Sequence, residues 1–119
     1  MRRVIIFATG LLIAILAGCS NYVIPAPDCP DGASSMSFSG DIQPIFNSKC
    51  TSCHSGGQAP DLREGWAYEE LTEGGYVAEP EFACESIIYQ VFFGTHDGRA
   101  DTTQVNQILG WIQEGAQDN

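Results

Sequence analysis

Apolar residues in this chain cluster into stretches that glycine, proline and small polar residues separate. Val4 to Leu16 is almost continuously apolar and follows Arg2 and Arg3. It is too short and too early for a membrane span, and it has the make-up of an export signal. No apolar period runs from Ser20 to Met36, where Pro25, Pro27, Pro30 and Gly32 predict a partly extended spacer. From Phe38 the pattern changes. Ile42, Ile45 and Phe46 share one helical face, Ser39 or Asp41 is placed to cap, and Pro44 suits the first turn. This helix leads into Cys50. Glycines and Pro60 then predict a loop, followed by a short helix over 66–72 with Tyr68 and Leu71 inward, stopped by Gly74 and Gly75. Ile87, Ile88, Val91 and Phe92 predict a helix over 84–93, ended by Gly94. Their β-branching also suits a strand, but no partner strand is visible. The last helix is expected after a cap at Asp101 or Thr102, with Val105, Ile108, Leu109 and Ile112 as its stripe, Trp111 beside it and Gly115 at its close. The expected fold is all-α, with about four helices over 38–119.

Charge narrows the possible partners. The chain has 119 residues, with 15 acidic against 5 basic. Leu16-Ala17-Gly18-Cys19 resembles the lipobox of bacterial lipoproteins. That resemblance implies cleavage before Cys19, lipidation of its sulfur and, with Ser20 next, an outer-membrane anchor facing the periplasm. The alternative is an ordinary signal peptide with an incidental cysteine. Residues 1–18 are then the signal, 19–37 a lipid-anchored tether and 38–119 the domain. What remains is about 100 residues, one small domain. Its only basic residues are Lys49, Arg63 and Arg99, so nucleic acid and anionic lipid surfaces are excluded as electrostatic partners. An acidic surface suits a redox partner protein with a basic docking patch, and equally a merely solvated exterior.

Cys50-Thr51-Ser52-Cys53-His54 carries the chemistry. C-x-x-C-H is the attachment signature of one covalent haem c. Two thiols add across vinyl groups, and the histidine supplies an axial nitrogen to iron. Positions i, i+3 and i+4 share a helix face, so Cys50, Cys53 and His54 can meet one flat ring system. Two rivals use the same residues. A zinc site lacks a second close ligand pair, and a thioredoxin-like redox pair needs a βαβ context. Cys29 and Cys84 remain. In an exported protein they are expected to form a disulfide contributing roughly 3–4 kcal/mol, or else to stand as two free thiols.

The order of helix, C-x-x-C-H, loop, short helices and final helix resembles class I cytochrome c from about Phe38 to Asn119. More narrowly, Asp41-Ile42-Gln43-Pro44-Ile45-Phe46 and Trp111-Ile112-Gln113-Glu114-Gly115-Ala116 resemble small exported mono-haem cytochromes. The resemblance implies that the first and last helices cross, with Ile42 and Phe46 against Leu109 and Ile112. It also implies that His54 donates its second ring nitrogen to a loop carbonyl, for which Pro60 is the candidate. Family members usually place a methionine before the last helix, and this chain has only Met1 and Met36. His96, between Gly94 and Gly98, is the candidate distal ligand; otherwise the iron is five-coordinate or water-bound. Arg99 is the candidate partner of a haem propionate, or else an exposed ion-pair residue. Trp66 and Tyr68 either face the haem or belong to the core. Scattered acids and the lack of a free nucleophile–base pair argue against an enzyme, and a two-haem peroxidase would need a second C-x-x-C-H. The expected function is one-electron transfer. The alternatives are small-gas binding at an open distal site, or service as a haem subunit of a larger complex.

Overall fold

The computed structural model describes residues 28–119; the expected export signal, Cys19 and the start of the expected tether lie outside them. The described residues form an all-α domain with about five helical segments and no strand. None of these helices is long and apolar enough to cross a membrane.

The first segment starts earlier than Ser39 or Asp41 would place it. Ser37 is the cap: its Oγ accepts from Gly40 N at 2.9 Å, and Asp41 accepts from Ser37 N at 2.8 Å. A π-helical turn, Phe38–Ile42, runs into helix α1, Gln43–Lys49. Pro44, which has no N–H to donate, sits where this wide turn hands over to α1. Helix α2 spans Ala67–Glu73 and stops at Gly74. The helix expected over 84–93 is divided. A 3₁₀ turn, Pro80–Glu85, ends at Ser86, whose ψ of 132° is extended. Helix α3, Ile87–Gln90, and the 3₁₀ turn Val91–Phe93 follow. Helix α4, Thr102–Gln113, starts at a reciprocal capping box of Asp101 and Gln104.

The first turn crosses α4. Phe38 lies 5.2 Å from Trp111, ring centre to ring centre, and Tyr68 packs on Phe38 at 5.3 Å. Ile42, Phe46, Leu109 and Ile112 are fully buried, as the helix stripes require. Each such side chain contributes about 2 kcal/mol of burial. Tyr68 is half-buried against the core and away from the cleft described below, its hydroxyl donating to the Ala116 carbonyl at 3.0 Å. Trp66 is 57 % exposed and belongs neither to the core nor to the cleft described below.

The end of the expected tether lies on the domain. Cys29 is disulfide-bonded to Cys84, with Cα atoms 5.8 Å apart. Gln113 accepts from Gly32 N at 2.8 Å, and Glu114 accepts from Ser35 N and Met36 N. Ala33 N donates to Asn106 O at 3.0 Å. This strap presses so closely on α4 that a Cβ added at Gly110 would fall 1.8 Å from the Ala33 carbonyl oxygen. Gly110 lies within the last turn of α4, where glycine is otherwise unfavourable, and the close approach explains it.

Gly110→Ala should therefore lift the strap and destabilise the domain by about 2 kcal/mol, read as a lower melting temperature. Reducing the disulfide should cost up to about 4 kcal/mol. Intact mass after alkylation should show Cys29 and Cys84 protected until reductant is added.

Candidate functional site

α1 ends at Cys50, and the chain turns without a break through the C-x-x-C-H segment. Cys53 N and His54 N both donate to Cys50 O, at 3.1 and 2.9 Å. This single helical turn gathers the two thiols and the imidazole. Neither thiol is in a disulfide; Cys50 is half-buried and Cys53 exposed. Burial pushes the Cys50 thiol pKa up, and the nearby Arg99 charge partly opposes this.

The loop after His54 closes on itself. Leu62 N donates to His54 O at 2.9 Å, and His54 Nδ1–H donates to the Pro60 carbonyl at 3.0 Å. A carbonyl can only accept, so a proton is on Nδ1 and, in the neutral ring, the lone pair is on Nε2. Gln43, buried on α1, ties the loop down by donating from Nε2 to Leu62 O at 3.0 Å and to Asn47 Oδ1 at 2.9 Å. Its Oε1 has no partner. Beyond it, Asp61 accepts from the Arg63 side chain, which holds its carboxyl below the ordinary range. Arg63 is exposed and Asp61 largely buried, and whatever the pair adds to stability is present at neutral pH and lost on acidification through that lowered pKa.

A cleft of about 400 Å³ opens between this unit and the segment running from Ile87 to Arg99. Cys50, Cys53, His54, Pro60 and Leu62 line one part, and Ile87, Ile88, Val91, Phe92, Thr95, His96 and Arg99 another. The ring centres of His54 and His96 are 6.0 Å apart. Two imidazoles bound to one metal ion from opposite sides, each at about 2.0 Å, have ring centres roughly 6 Å apart. His96 Nδ1 is hydrogen-bonded to Thr95 Oγ1 at 2.9 Å, so the protein engages Nδ1 in both rings and leaves both Nε2 atoms.

Charge is distributed unevenly around the cleft. None of the 15 acidic residues lines it, while Lys49 and Arg99, two of the basic residues, do. The only ion pair among the described residues is Arg63 with Asp61, which leaves Lys49 and Arg99 unpaired. Cys50, Cys53, His54, His96 and Arg99 are thus brought to one cleft, while Cys29 and Cys84 are joined elsewhere. The same residues do not form a compact metal cluster: among the described residues, no three His, Cys, Asp or Glu side chains converge to hold an ion. An apolar cleft with two free thiols, two imidazoles at metal-spanning separation and cations in place of acids fits a flat, anionic macrocyclic cofactor. Gln43 and Thr95, to which the sequence pattern assigns no role, hydrogen-bond the Leu62 carbonyl and the His96 ring.

Compared with protein-family models, curated proteins and solved structures, the chain has no match.

Gln43→Met keeps the bulk and leaves the Leu62 carbonyl unpaired. It should cost about 1–3 kcal/mol in thermal or denaturant unfolding.

Proposed function

We propose that this protein is an envelope c-type cytochrome that carries one electron at a time on a single haem. The pair of imidazoles 6.0 Å apart beside two free thiols carries the proposal. Bound haem would supply a one-electron iron couple whose potential depends on its axial ligands. Cys50 and Cys53 are the attachment residues. His54 is the proximal ligand, oriented by Pro60, and that hydrogen bond increases the basicity of its Nε2. His96 is the distal ligand, which favours a filled sixth position over the open one a gas-binding protein needs. Two imidazoles are expected to hold a lower potential than an imidazole and a thioether. Arg99, unpaired beside a carboxylate-free cleft, is placed to receive a propionate. Exposed Cys53 leaves the attachment edge near solvent, a short route for an electron to a partner protein. An export signal and a lipid on Cys19 would keep the domain at the outer membrane.

The purified protein should retain haem after denaturation and show a low-spin spectrum in both oxidation states. Cys50→Ala with Cys53→Ala should lose covalent haem. His96→Ala should turn the ferric form high-spin or water-ligated and open the reduced form to rapid carbon monoxide binding. A low-spin ferric spectrum unchanged in His96→Ala would exclude His96, and absence of haem would exclude the function.

A further inference from the structure

The two imidazoles at the cleft are held by different chemistry. His54 is buried, and its Nδ1 meets a backbone carbonyl, an acceptor that cannot donate. One tautomer and one ring orientation result. His96 is half-buried, and its Nδ1 meets the hydroxyl of its own chain neighbour, Thr95, at 2.9 Å. Its backbone is well fixed: His96 N donates to Val91 O at 2.8 Å, and Arg99 N donates to His96 O at 3.0 Å. Those bonds hold the main chain and leave the ring free to turn about its side-chain torsions. The Thr95 hydroxyl is the polar contact that sets the ring itself.

We propose that Thr95 is a positioning residue for His96, and that its hydroxyl determines how firmly His96 closes the distal side of the cleft. This rests on the assignment of His96 as distal ligand. When the hydroxyl accepts from Nδ1–H, the lone pair lies on Nε2, the state that binds a metal. When it donates to Nδ1, the proton lies on Nε2 and the ring cannot bind. A hydroxyl supports both states and a carbonyl only one. His96 is therefore the more easily displaced of the two imidazoles, and Thr95 keeps it aimed while it is bound. Without the hydroxyl the ring has no fixed orientation, and an added ligand competes more effectively for the position.

The test uses the full-length ferric holoprotein, titrated at one pH with free imidazole and followed by absorbance. Thr95→Val, nearly isosteric, should bind free imidazole about tenfold more tightly than wild type, as expected when the outer hydrogen bond of a metal-ligating histidine is lost. Thr95→Ser, which restores the hydroxyl, should stay close to wild type. Thr95→Ala replaces the valine variant if that variant does not fold, with the same outcome expected. Equal affinities in wild type and Thr95→Val would overturn the proposal. So would a Thr95→Ser shift as large as that of Thr95→Val, since the hydroxyl would then not be responsible. An unchanged spectrum in His96→Ala, or a protein without haem, would overturn the His96 assignment and this proposal with it. Failure of the Thr95 variants alone leaves His96 as the ligand.

Discussion

Phe38 against Trp111 is the contact on which the rest of the structure depends, because it fixes the first helical turn across α4. That crossing sets the axis of α1, and α1 delivers Cys50 at its end. The last residues of the chain reinforce it. Phe38 N and Ser39 N donate to Asn119, while Trp111 Nε1 donates to the Gln117 carbonyl. A small domain has little apolar surface to bury, and the buried rings of Phe38 and Trp111, with Tyr68 packed against them, form the aromatic part of its core. None of these three aromatic residues lines the cleft, whose apolar lining includes Leu62, Ile88, Val91 and Phe92.

From the crossing, position passes to chemistry through hydrogen bonds between backbone and side chains. Gln43 on α1 holds Leu62, Leu62 holds His54, and Pro60 orients the ring. The opposite wall has no such chain. It is a short α3, a 3₁₀ turn and a loop whose histidine ring relies on one neighbouring hydroxyl. One wall of the cleft is thus tied to the core through side-chain hydrogen bonds, and the other through the burial of Ile88, Tyr89 and Phe92 and the bond from Ile88 N to Tyr76 O.

The parts legible in the sequence were those set by period and by rarity. α4 announced itself through Val105, Ile108, Leu109 and Ile112 behind an Asp101 cap. His96 and Arg99 stood out because histidine and basic residues are scarce in this chain. The start of the first helical segment was displaced because Ser37, Ser39 and Asp41 are all good caps, and only tertiary contact selects among them. The stripe Ile87, Ile88, Val91, Phe92 is helical, but the extended backbone at Ser86 just before it leaves no periodic trace. Cys84 therefore falls in the preceding 3₁₀ turn rather than on that helix. The strap read as a spacer because its partners, Gln113 and Glu114, lie about eighty residues away in sequence. Gln43 and Thr95 were invisible for the same reason: an amide or a hydroxyl acquires its meaning from the acceptor that folding brings to it.

The Cys29–Cys84 bond also partitions the chain as a covalent graph. Oxidised, the described chain is a closed ring with a tail. The ring encloses Cys50, Cys53 and His54, whereas Ile87, His96, Arg99 and all of α4 belong to the tail. The unfolded oxidised chain has already lost much of the configurational freedom of the ring and almost none of the tail's. The four described cysteines permit six single pairings, and this one leaves both thiols of the motif free within the loop. The half of the cleft that bears sulfur is thus confined before folding, and the half that bears His96 must find it by diffusion.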